Sequence, residues 1–163
     1  MKLVLLIFVL IANCLGWVTV KISVSGVVRC SKAFEYSVNM WDEDSSHHDL
    51  IGAIQHVKPS GPAEKAQQAG RFDIVGVASE QWPGDNEIEP RMTVEHTCGT
   101  EYACVCKAFP GTGVEFTTTV DFDLENLPSG LVYCDVCAYA KKRRERAGKH
   151  HGARLFGHYG GRG

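Results

Sequence analysis

An all-β sandwich of seven or eight strands is the fold this sequence predicts. Three observations carry it. Short segments alternate apolar and polar residues with a period of two, the mark of strands with one buried face. Clusters of turn formers, such as Trp82-Pro83-Gly84-Asp85-Asn86 and Pro128-Ser129-Gly130, separate them at roughly ten-residue spacing. No segment sustains the three-to-four-residue period of an amphipathic helix.

The first strand is read from Val18, Val20, Ile22 and Val24, which alternate with Thr19, Lys21, Ser23 and Ser25 and run on through Gly26 toward Cys30. The second places Phe34, Tyr36, Val38 and Met40 on one face and Glu35, Ser37, Asn39 and Trp41 on the other. Leu50–Val57 is apolar enough to be a third strand, and Lys58–Gly70, with Pro59, Gly61 and Pro62, reads as a loop with at most one helical turn. Phe72–Ser79 and Glu89–Thr97 follow. In the latter, Pro90, Met92, Val94, His96 and Cys98 share the inward face. Cys98 to Cys104 encloses a hairpin-sized connection, and Val105–Phe109 is short. Val114 to Leu124 alternates without error, and Leu131–Tyr139 is expected to be the last strand. From Lys141 onward the chain is rich in Lys, Arg, Gly and His without an apolar pattern, so residues 141–163 read as a basic, disordered tail.

Residues 1–16 have the positively charged start, short apolar centre and small residue of a signal peptide cut close to Gly16. The sandwich is thus expected over residues 17–140. Cleavage removes Cys14 and leaves Cys30, Cys98, Cys104, Cys106, Cys134 and Cys137. In an oxidising compartment an even six implies three disulfides, with 15 pairings open. The short connection between Cys98 and Cys104 suggests that these two pair, with Cys106 as the rival for Cys98. Cys104, Cys106, Cys134 and Cys137 could instead hold zinc. Read as strands, however, the first two share a face and the last two do not. A redox Cys-x-x-Cys opens a helix, and no helical pattern is read after Cys134.

Charge divides the chain. Residues 17–140 carry 8 Lys+Arg against 18 Asp+Glu, and residues 141–163 carry 8 Lys+Arg against one acid. The run Lys141, Lys142, Arg143, Arg144 suits an anionic surface such as lipid head groups or glycosaminoglycan, and also a basic-specific protease. Nucleic acid is not an expected partner behind a signal peptide, and no transmembrane segment is expected. Trp41, Asp42, Glu43 and Asp44 end the second strand as candidate surface contacts. Trp41 is either exposed or covered by the Ser45–Asp49 loop. The acids of that region, with His47, His48 and Asp49, lack the spacing of an EF-hand and read as a solvated turn. His96, on the apolar face, reads as a buried, hydrogen-bonded histidine rather than a general base.

Cys30, then Met40-Trp41-Asp42-Glu43-Asp44, Asp49-Leu50, Gly70-Arg71-Phe72, Gly76, Glu80, Ile88-Glu89-Pro90 and His96-Thr97-Cys98, in that order, resemble the nematode transthyretin-like family. The resemblance covers about Val18 to Cys98 well. It implies a transthyretin-type sandwich, secreted or held at a cell surface, acting as a binding or interaction module without enzymatic activity, cofactor or metal. Its partner would be an extracellular protein or an anionic surface. The related hydroxyisourate hydrolases end in Tyr-Arg-Gly-Ser, whereas this sequence ends Gly157-His158-Tyr159-Gly160-Gly161-Arg162-Gly163. Two alternatives accompany this reading: a precursor that releases its basic tail, and a metal-dependent extracellular enzyme.

Overall fold

A computed structural model describes residues 18–43, 48–59, 68–80, 87–127 and 134–155, with side chains given for all but 144 and 147–155. The leader, Asp44 and His47, most of the Lys58–Gly70 loop, both turn clusters, residues 131–133 and 156–163, and the Arg144 side chain lie outside the description.

Among the described residues eight strands and one helix follow in order: β1 Val18–Cys30, β2 Tyr36–Glu43, β3 His48–Val57, β4 Gln68–Glu80, β5 Pro90–His96, β6 Ala103–Ala108, β7 Phe116–Thr119, β8 Phe122–Asp123 and α1 Asp135–Leu155. One sheet has the order β4-β1-β7, with β8 also paired to β1, and the other runs β3-β2-β5-β6. The first strand therefore pairs with the fourth. This separates the arrangement from an immunoglobulin constant domain, whose first strand pairs with its second.

The two sheets face each other through the inward rows that alternation selects. Val20, Ile22, Val24 and Val28 of β1 and Phe72 and Ile74 of β4 meet Val38, Met40, Met92 and Val94 of β2 and β5 in one continuous core. At the sandwich edge β3 crosses β4 closely. A Cβ at Gly76 would run into the Ile51 carbonyl oxygen, so only glycine lets the two backbones approach.

Four expectations need correction. The Val114–Leu124 segment is not one strand. It breaks at Val120-Asp121, where Asp121 Oδ1 accepts from the Val27 N–H at 3.0 Å and a side chain replaces a ladder carbonyl. Its apolar row becomes buried only toward Phe122 and Leu124, and Val114 is exposed. The loop after β3 is shorter than expected, because Gln68, Ala69 and Gly70 already pair with Cys30, Arg29 and Val28. The expected last strand is the start of a helix from Asp135 on, and the expected disordered tail continues that helix as far as Leu155, across the boundary placed at Ala140. Asp135 in the first turn and the cations beyond it complement the helix dipole, and Ala, Lys, Arg and Glu are good helix formers. Val136, Cys137 and Ala140, spaced as one helical face, are its buried positions among the described side chains.

The cysteine pairing also differs. The disulfides are Cys30–Cys98, Cys104–Cys137 and Cys106–Cys134. Cys98 and Cys104 cannot meet because they face opposite ways. Cys98 continues the core-facing row of Met92, Val94 and His96, whereas Cys104 sits opposite the outward Glu95. Cys98 instead meets Cys30 at the end of β1 and ties one sheet to the other. Cys134-Asp135-Val136-Cys137 does open a helix, contrary to the strand reading. Three residues apart there, the two sulfurs share a face and bond to the outward pair Cys104 and Cys106. No thiolate remains among these four for zinc or dithiol chemistry.

Candidate functional site

The β3-β2-β5-β6 sheet carries a second layer on its outer face. Trp41, the residue expected either in solvent or under the Ser45–Asp49 loop, is 1% exposed and packs beneath Val136 and Ala140 of α1, with Leu50 beside it. Its Nε1–H donates to Thr93 Oγ1 at 2.9 Å. Around it lies a polar array whose Asn39, Thr93 and Glu95 are buried. Asn39 Nδ2 donates to Glu95 Oε1 at 3.2 Å, Tyr102 OH donates to Glu95 Oε2 at 3.1 Å, and Gln55 Nε2 donates to Asn39 Oδ1. These residues alternate with the core-facing row and look polar in sequence. Asn39 and Glu95 are nevertheless buried, whereas Tyr102 is half-buried and Gln55 is exposed; the helix beside them has disulfide partners some thirty positions earlier.

Between α1 and β3 the second layer leaves a cleft of about 260 Å³, with Trp41, Leu50, Ala53 and Ala140 as apolar walls and Asn39, Gln55, His56, Glu95 and Arg143 supplying polar groups. Arg143 lies over the Trp41 ring, its guanidinium carbon 5.7 Å from the ring centre, in cation–π range. Tyr139, one helical turn earlier, meets Trp41 edge to face at 5.5 Å and His48 at 5.3 Å. On the opposite flank Lys141 sits 5.9 Å from the Tyr102 ring. His56, at a bulge in β3, has a left-handed φ of 54°, a conformation that side chains other than glycine's rarely take up. Its Nδ1 contacts Glu35 Oε1 at 2.6 Å. That bond is the largest influence on the Glu35 carboxyl and, with help from Lys58, holds it below its ordinary value against the opposing effect of burial. A shallower depression by β1 and β4, about 530 Å³, includes Arg71, Asp73 and Asp121.

Of the residues singled out by sequence, the structure gathers Trp41, Lys141, Lys142 and Arg143 around α1. It separates off the acids. Asp42 is buried, its Oδ1 accepting from the Glu89 N–H at 3.0 Å, and Glu43 is paired with Arg91. Both serve the fold rather than a surface. Tyr139, His56, Gln55 and Glu95 were missed. Tyr139 falls in the misread strand, and the only signal for the others, polar residues opposite a core row, is shared by every half-exposed strand.

His96 is buried as expected. Its Nδ1 accepts from the Cys98 N–H at 3.2 Å, which leaves the proton on Nε2, and that nitrogen is buried without a partner. Burial pushes the imidazole below its ordinary pKa of 6.5. The unfolded chain therefore takes up a proton near that value while the folded chain resists it. Stability is full above the unfolded pKa, falls as pH drops through it, and levels off once the folded imidazole is also protonated. Urea midpoints measured from about pH 7.5 down to 5 should fall for the native sequence and fall less steeply for His96→Gln. Equal slopes would remove His96 as the source.

The fold and site together define a class: a disulfide-stapled β-sandwich with a basic helix bolted to the outside of one sheet. No family model, curated protein or solved structure matches the chain. Among the described residues no helix is long and apolar enough to cross a membrane.

Proposed function

We propose that this protein is a secreted transthyretin-like sandwich that works as a non-enzymatic extracellular binding module, and that α1 is the element it presents to an anionic partner. One observation carries the reading. A helix bearing exposed Lys141, Lys142, Arg143 and Arg146 is fastened by two disulfides to a body of opposite net charge. The three disulfides and the absence of a membrane-spanning helix among the described residues are compatible with an extracellular setting. The two sheets and the inward alternation support the sandwich that the family resemblance implies.

A catalytic role has less support. Two histidines within the body are committed elsewhere: His56 Nδ1 to Glu35, and His96 Nδ1 to the Cys98 backbone inside the core. Release of the basic segment as a peptide is the other competing reading. Proteases bind extended chain, and here the basic run is helical and its first turn is bolted to β6.

The test compares the protein starting at Trp17 with the same chain stopped at Ala140. Both are presented to anionic liposomes and to a sulfated polysaccharide. The longer chain should bind at low salt and be released near 1 M, where the Debye length is ~3 Å rather than the ~10 Å of 0.1 M. Equal binding by the shorter chain would reject α1 as the docking element.

A further inference from the structure

We infer that the ligand of α1 is a linear acidic polysaccharide, sulfated or rich in uronic acid, lying along the Tyr139–Arg143–Arg146 edge of the helix, rather than a lipid bilayer. This rests on the reading of α1 as an anion-docking element and goes on to name its partner.

The helix lacks what a bilayer requires. A helix that lies in a membrane interface buries an apolar stripe into the acyl boundary and keeps its cations on the other face. In α1 the apolar positions Val136, Cys137 and Ala140 are already spent on Trp41 and the outer face of the sheet. From Lys141 to Leu155 the only apolar side chains in the sequence are Ala147, Ala153 and Leu155, which do not recur at helical spacing. Electrostatic attraction without insertion would bring the strongly acidic body against the same negative surface, where it is repelled.

A narrow polyanion meets neither obstacle, because it can follow one edge of the helix without facing the body. That edge is ordered for it. Tyr139, Arg143 and Arg146 recur at intervals of four and three and so fall on one side of α1. Lys142 lies one residue around the helix from that edge. Arg143 and Arg146 are exposed, and neither has an acidic partner among the described residues. The guanidinium fork matches planar oxyanions. Tyr139, 38% exposed, offers a partly open ring beside those cations. Its contacts with Trp41 and His48 hold it still, so a sugar ring could stack there at small entropic cost. Below Arg143 the cleft offers Gln55, which uses one amide hydrogen on Asn39, for a pendant hydroxyl, whereas Glu95 in the same lining disfavours a ligand carboxylate at that point. The two disulfides hold the first turn of this edge before any ligand arrives, which lowers the cost of ordering on binding.

The experiment measures binding of the protein starting at Trp17 to three surfaces: a sulfated polysaccharide, an uncharged polysaccharide of similar length, and phosphatidylglycerol-containing vesicles. The inference expects binding to the first at least about tenfold tighter than to vesicles at equal charge density, and none to the second. Arg143→Glu with Arg146→Glu, two exposed positions whose folding is checked by circular dichroism, should weaken polysaccharide binding about tenfold or more. Tyr139→Ser should weaken it about threefold without changing its salt dependence. Vesicle binding equal to or tighter than polysaccharide binding would overturn the inference while leaving α1 as an anion-docking element. Unchanged polysaccharide binding by the Arg143/Arg146 double variant would overturn the assigned edge. Binding to neither anionic surface would overturn both this inference and the proposed function.

Discussion

Replacing Cys30 and Cys98 together by alanine should cost about 4 kcal/mol of stability, on the order of 15 °C in melting temperature. The bond spans a sequence separation of 68, so on chain-entropy grounds it removes much freedom from the unfolded state. It joins the end of β1 to Cys98, two residues beyond the end of β5, and β1 and β5 belong to opposite sheets. No other disulfide spans any part of that loop. The remaining two behave differently because they are nested. Cys106–Cys134, with a separation of 28, lies inside Cys104–Cys137, with a separation of 33. With either one intact the other closes a loop of only a few residues, so removing one of them should cost about 2 kcal/mol. Chemical denaturation of the three double-alanine variants decides this. If loss of either nested bond alone is as damaging as loss of Cys30–Cys98, the independence of the two staples is wrong.

Trp41→Ala should cost about 3–5 kcal/mol, as for a large aromatic removed from a core. That is a core-sized penalty for a residue on the outward face of its strand. It arises because Trp41 is the centre of the second layer: it touches Val136 and Ala140, donates to Thr93 and lies under Arg143. Trp41→Phe keeps most of the packing and loses the Nε1–H donor. Thr93 Oγ1 still accepts from Asn39 at 3.4 Å, so this change should cost only about 1–2 kcal/mol. Hydrogen exchange in α1 separates the two cases. Trp41→Ala should expose the amides of the first helical turns, held then by disulfides alone, and Trp41→Phe should leave them protected. A loss below about 1 kcal/mol for Trp41→Ala would mean that α1 does not cover it in solution.

Where one face of a segment meets the core, the sequence was easy to read. Val20, Ile22 and Val24 of β1 and Met92, Val94 and His96 of β5 take the inward positions that alternation assigns them. The break between β7 and β8 was hidden because Val120-Asp121 keeps the alternating pattern while a side chain interrupts the ladder. The candidate site was largely hidden for the same kind of reason. Asn39, Thr93 and Glu95 occupy outward strand positions that are normally solvated, and no local signal marks them as covered.

What the sequence determined by itself is the strands from β1 to β6, the inward rows of β1, β2, β4 and β5, and the division between an acidic body and a basic end. Each is a property of neighbours in the chain or of simple composition. What only the tertiary structure decided is the cysteine pairing, the helical state of residues 135–155, and the burial of Trp41 with its polar neighbours. Leu131 to Ala140 is apolar at every position but Asp135, so too few polar residues remain to separate a period of two from one of 3.6. Cys134 and Cys137 lie on opposite faces in the first case and on one face in the second. The choice depends on β6, which offers Cys104 and Cys106 side by side on its outer face. The side chains of two elements some thirty residues apart settle it together, and neither segment holds that information alone.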